Sequence, residues 1–197
     1  MTFLTELDVV NDMLATMGET SLNTLEDAHP LVPAGRRFLK ERSWQEQAKS
    51  WWFNRELTTL NPDPAGMIFL PADTISVDPF DVSLSYVQRG DRLYKPFDTD
   101  SNNKFIFTEA VTCWLVRNLP FTDLPGPAQR VISVAARLDF QLLYDADTAK
   151  VALLRADLQD AYITLNTEHI RNKGVNLLNR ANVVGTMNFI MPRPRVR

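Results

Sequence analysis

The chain has 197 residues, 45% of them hydrophobic and 23% charged, enough apolar material for one self-supporting core that buries about 70% of the unfolded surface. A formal net charge of −3 excludes a global basic field that would hold nucleic acid non-specifically. A single cysteine, Cys113, excludes an internal disulfide, and no apolar run approaches the roughly 18 residues of a membrane span.

The first predicted element is a helix. Leu4, Leu7, Val10, Leu14 and Met17 share one face, Thr5 can cap its start, and Gly18 stands where a left-handed residue closes a helix. The opening MTFLTELDVV carries acids where a secretory signal needs bases, so the expectation is a protein that is not secreted by that route. A polar loop ending at Pro30 leads to a second helix starting near Pro33. Its expected stripe is Ala34, Phe38, Gln45, Ala48 and Trp52, with Trp44 and Trp51 beside it and Leu39 outside. On a helix, adjacent tryptophans diverge by about 100°, so Trp51 and Trp52 cannot form one flat stacking platform. Trp44, Trp51 and Trp52 are therefore expected as a core seam, the last two wedged between a helical layer and a β portion.

From Asn54 the period changes. Leu57–Leu60 reads as a strand stopped by Asn61-Pro62-Asp63-Pro64. Further strand-like runs are Met67–Leu70, Thr74–Val77, Val82–Val87, Arg92–Tyr94 and Phe105–Phe107. Arg89-Gly90-Asp91 marks a hairpin turn. Thr108–Leu119 is dense in apolar residues without a clean period and is read as a buried helix, with Cys113 as a small buried hydrophobe. After the turn cluster Leu119–Pro127, Pro127 suits the first turn of a helix. Ala128, Val131, Ala135, Leu138 and Leu142, then Val151, Leu154, Leu158, Ala161 and Leu165, repeat the same alternating three- and four-residue spacing. Joined by Asp145-Ala146-Asp147, they predict an antiparallel helical hairpin, with Asp147 or Thr148 as the second cap and Gly174 at its end.

The expected fold class is α+β: a helical bundle with a long antiparallel hairpin plus a smaller antiparallel β-rich portion. Residues 1–53 and 108–174 form the helical portion, 54–107 the β-rich portion, and 175–197 an extended C-terminal arm. From Arg171 onward the chain has bases and no acid, and Pro192 and Pro194 forbid a terminal helix. Taken alone the arm is a disordered end; read functionally it is a docking arm or a phosphate contact.

Chemistry-bearing motifs are sparse. His29 and His169 lack ligand partners at helical spacing, so no metal site is expected. No glycine-rich phosphate loop or nucleophile elbow is present, and no cofactor is expected. One catalytic alternative is glycoside hydrolysis, which needs two carboxylates about 5–5.5 Å or 6.5–9.5 Å apart beside an aromatic. Glu46 and Glu56 flank Trp51-Trp52 and Asp63 follows; these three are the candidate acids of a carbohydrate-active protein acting on a polysaccharide.

The order of the features is similar to a known family. Val10, Asn11, Leu14, Gly18 and Glu19, followed by Thr24-Leu25-Glu26, form a V-N-x-x-L-x-x-x-G-E helix leading to a loop. A basic helix then runs into Trp51-Trp52-Phe53-Asn54-Arg55-Glu56, followed by the Tyr86–Gly90 hairpin and the Ala128–Leu165 hairpin. Over residues 4–174 this resembles the tail tubular protein A family, the adaptors or gatekeepers of T7-like short-tailed bacteriophages. The resemblance implies a structural virion protein of the tail, not an enzyme, assembled in the host bacterial cytoplasm. It implies a homo-oligomeric ring of twelve copies between the capsid portal protein and the tail nozzle (tail tubular protein B), with tail fibres near the junction. DNA would pass through the lumen during ejection without sequence-specific binding, and no membrane is involved. Arg193, Arg195 and Arg197 are the candidate interface residues of the arm.

Overall fold

The computed structural model describes residues 4–81, 83–98 and 103–173. Four helices and five strands follow in chain order: α1 (Glu6–Thr16), α2 (Val32–Gln47), β1 (Arg55–Leu60), β2 (Thr74–Pro79), β3 (Val87–Arg89), β4 (Arg92–Tyr94), β5 (Val111–Arg117), α3 (Gly126–Tyr144) and α4 (Thr148–Asn172), with a short 3-10 turn at Phe121–Asp123. The fold is α+β.

Local chemistry accounts for the ends of α1. The Thr5 hydroxyl accepts from the Asp8 amide, and the Asp8 carboxylate accepts from the Thr5 amide, a reciprocal box that satisfies two otherwise orphaned donors. Gly18 follows with a φ of +78°, the conformation that glycine adopts without steric penalty. The helix buries Val9, Val10, Met13 and Leu14. Helix α2 crosses it closely at Gly35, where an added Cβ would lie 3.3 Å from Met13 Sδ.

The buried face of α2 differs from the expected one. Val32, Gly35, Leu39, Ser43, Glu46 and Gln47 are inside, whereas Gln45 and Ala48 are exposed. The stripe is rotated because two polar residues, Glu46 and Gln47, make inward hydrogen bonds (below), and hydrophobicity counting places such residues outside. The helix also ends at Gln47, before the tryptophans.

In the helical core, Val9, Met13, Leu39, Trp51, Val131, Ile132, Phe140, Ala161 and Leu165 are buried together. Phe140 is fully buried, with the Phe38 ring edge-on at 6.2 Å. The hairpin of α3 and α4 forms as the twin spacing predicts, with Ala128, Val131, Ala135 and Leu138 inside on α3 and Val151, Ala161 and Leu165 on α4. Leu142, expected on that seam, is 45% exposed near the tip. Asp147 caps α4 by accepting from the Ala149 and Lys150 amides. Gly174 and the arm 175–197 lie outside the described residues.

Thr108–Leu119 corrects the expected helix: it contains β5, the central strand of an antiparallel sheet ordered β1-β5-β2. Val111, Cys113, Leu115 and Val116 are buried. A strand flanked on both edges and covered on one face reads as a dense apolar run, and periodicity alone cannot tell that from a buried helix. The strands thus extend past residue 107, the expected limit of the β-rich portion. Phe69 makes only an isolated bridge, to Arg92. Of the described residues in Val82–Val87 only Val87 enters a strand, and Phe105–Phe107 forms none. The hairpin β3-β4 turns at Gly90, φ +67°. Ile68, Leu70, Val77, Tyr86, Leu93, Phe107, Cys113 and Leu115 form the second core.

Candidate functional site

The stretch between α2 and β1 joins the two cores. Ser50, at φ +60°, turns the chain, and the Trp51 indole N–H donates to the Glu46 carbonyl at 2.8 Å. Trp51 is 7% exposed and stands edge-on to His169 of α4 at 5.1 Å. Trp52 is half-buried and packs on the helical core; its amide donates to His169 Nδ1 at 3.3 Å. Burial, and then the charge of Lys173, lower the His169 pKa. An unprotonated Nδ1 is what the Trp52 amide requires. Trp44, the third expected seam residue, is 53% exposed and outside the core.

Beside this junction Gln47 and Asn54, both fully buried, make a polar clasp. Gln47 accepts from the Leu119 amide at 2.7 Å and donates to the Leu119 carbonyl at 3.0 Å. Asn54 Nδ2 donates to the Gln47 carbonyl at 2.8 Å and the Arg117 carbonyl at 2.9 Å. Both strap the end of β5 to the end of α2. Glutamine and asparagine count as surface residues in a hydrophobicity reading, so the sequence reading missed them; the only signal was their place at an element boundary.

The three candidate carboxylates have separate structural partners. Glu46 is buried, with Oε2 2.7 Å from Lys49 Nζ and Oε1 accepting from the Tyr162 hydroxyl at 2.6 Å. Burial raises the Tyr162 pKa, and Glu46 adds to it. Burial works against the Lys49 ammonium, but the bonds to Glu46 and Tyr162 win and raise its pKa. With both oxygens engaged, Glu46 braces α2 to α4. Glu56 pairs with Arg117 at 3.1 Å, and Arg117 also binds Asp73 at 2.6 Å. Asp63 Oδ1 accepts from the Ala65 and Met67 amides, holding a turn. Among the described residues no hydrogen bond or ion pair links these three acids, and no cluster of metal-ligating side chains is present. Burial pushes the Cys113 thiol up to about 11, which leaves it protonated and unreactive at neutral pH. No helix among the described residues is long and apolar enough to cross a membrane.

Surfaces carry more than clefts do. Helix α4 buries one narrow strip against α3, and its far side shows a second regular series: Leu153, Ala156, Asp160, Ile163, Thr167 and Ile170, again at alternating three- and four-residue spacing. Leu153 is 72% exposed, and Ile163 and Ile170 are more than half exposed. Asp160 and Thr167 interrupt this series and hide it from a hydrophobic count. On the sheet, Leu57 and Phe80 are exposed beside Trp114, whose ring lies under the Arg55 guanidinium at 4.5 Å.

Residues 7–175 match the family model described as tail tubular protein. No curated protein shows significant similarity to the chain.

Proposed function

The chain belongs to the tail tubular protein family, a structural component of a phage tail, and on that premise we propose that it is the ring-forming adaptor of a short tail. In this reading twelve copies close into a ring under the capsid portal, the tail nozzle protein sits below, and fibres attach near the junction. DNA passes through the lumen, and the ring assembles in the host cytoplasm.

The observation that carries the proposal is the second series on α4, with Leu153, Ile163 and Ile170 exposed along it. Scattered exposed hydrophobics are ordinary, but a regular series along a 25-residue helix is a face made to be covered. A heterologous contact repeated with a constant rotation closes into a ring. A chain with net charge −3 suits a channel through which DNA must slide, because many basic contacts would retain it. Arg193, Arg195 and Arg197 are proposed to dock the arm on a neighbour.

Electron microscopy and light scattering of the protein, alone and mixed with its cognate portal, test this directly. A twelve-fold ring stacked on the portal is the expected result, and a chain that ignores the portal overturns it. Deleting residues 186–197 is expected to leave the fold intact and weaken portal attachment; unchanged attachment in a pull-down rejects the docking role of the arm.

A further inference from the structure

A groove of about 790 Å³ lies between α2 and the Asn118–Phe121 segment, backed by the Gln47 clasp described above. On its α2 wall Arg36, Lys40 and Trp44 follow at four-residue spacing and line up along the helix. The other wall is Leu119, Pro120 and Phe121, and the buried side chain of Leu39 adds to the apolar lining. This wall is set before anything binds, because the buried Gln47 side chain holds both backbone groups of Leu119. A preformed wall removes part of the ordering cost of association.

The charges are uneven. Arg36 and Lys40 have no carboxylate partner among the described residues. Of the acids lining the groove, Glu41 is paired with Arg37 at 3.8 Å, and Glu6 is at the start of α1. Two unpaired cations and a 53% exposed indole on one wall, facing an apolar wall, match an extended ligand whose side chains alternate between acidic and apolar. A DNA backbone fits less well, because its phosphates gain nothing from the apolar wall of Leu119 and Pro120.

We propose that this groove docks an extended acidic segment of a partner protein, with an apolar side chain against Trp44 and Pro120 and carboxylates at Arg36 and Lys40. Tryptophan and arginine are the residue types that most often dominate interface energetics. The site is complete in one subunit and does not rest on the ring reading, so it is testable on the isolated chain.

The probe is a short fluorescein-labelled peptide of alternating glutamate and leucine, titrated with the full-length protein and followed by anisotropy. Saturable binding is expected, weakened at least about tenfold, or roughly 1.4 kcal/mol, in W44A and in the double charge reversal R36E/K40E. These side chains are on the surface, and an unchanged circular dichroism spectrum verifies the fold; Lys40→Gln is the milder companion, expected to weaken binding less. The same peptide with lysine for glutamate is expected not to bind. Absence of saturable binding, equal affinity in W44A and R36E/K40E, or equal binding of the lysine peptide overturns the proposal. Displacement of the peptide by an equal concentration of duplex DNA also overturns it and assigns the groove to nucleic acid.

Discussion

The helical region and the sheet region solve the same burial problem with different reach along the chain. In the hairpin α3-α4 the partners are separated only by Asp145-Ala146-Asp147, and ion pairs such as Arg130–Asp157 at 2.7 Å and Lys150–Asp145 at 2.8 Å lie along it. In the sheet the central strand comes last: β5 pairs Leu57 with Trp114 and Val77 with Leu115, joining segments distant in sequence. Loop closure must precede such pairing, so the sheet depends on how the chain enters and leaves it. At the entry the Asn54 side-chain amide donates to the Gln47 carbonyl at the end of α2 and to the Arg117 carbonyl, and at the exit the buried Gln47 side chain holds Leu119. The comparison teaches that the sheet is completed by the helical region, while the helical region is closed largely by its own neighbours.

The largest expected effect is in the helical core. Phe140→Ala should cost about 3–5 kcal/mol, seen as a lower urea midpoint for helix and sheet probes alike, because the sheet is anchored on that core. A sheet signal that keeps its wild-type midpoint would separate the regions and break the comparison. Next comes the clasp. Gln47→Ala leaves the amide and carbonyl of Leu119 without their partner, a loss of about 1–3 kcal/mol. Its sharper readout is hydrogen exchange: protection should fall in β5 more than in α3. Equal loss in both elements would deny the clasp its coupling role.

A smaller effect belongs to pH. Burial holds the folded pKa of His169 below the ordinary histidine value of about 6.5, so the unfolded chain binds more protons as pH falls. Its contribution to stability is therefore complete above about 6.5 and is lost as pH drops below that value toward the folded pKa. Thermal melts between pH 7.5 and 5 should show a decline that His169→Gln reduces; an identical decline in the variant would remove His169 from the account. The smallest stability change is expected outside both cores. Ile163→Asp should shift subunit stability by less than about 0.5 kcal/mol and yet abolish the ring in light scattering; rings formed at wild-type concentration would clear the α4 face of a role.

The sequence by itself determined the elements whose partners are near or whose signals are local. Thr5, Asp8 and Gly18 delimit α1, Gly90 turns the β3-β4 hairpin, and the twin series from Ala128 to Leu165 builds α3 and α4, because caps, turns and 3.6-residue periodicity act within a few residues. Order along the chain also carried the family. Tertiary structure alone decided that 111–117 is a strand, since a dense apolar run is stable in whichever form its neighbours cover, and here β1 and β2 cover both edges. It decided that Trp44 faces solvent while Glu46, Gln47 and Asn54 go inside. A buried polar side chain needs hydrogen-bond partners, and those that Glu46, Gln47 and Asn54 Nδ2 find, Tyr162, Leu119 and Arg117, come from distant parts of the chain.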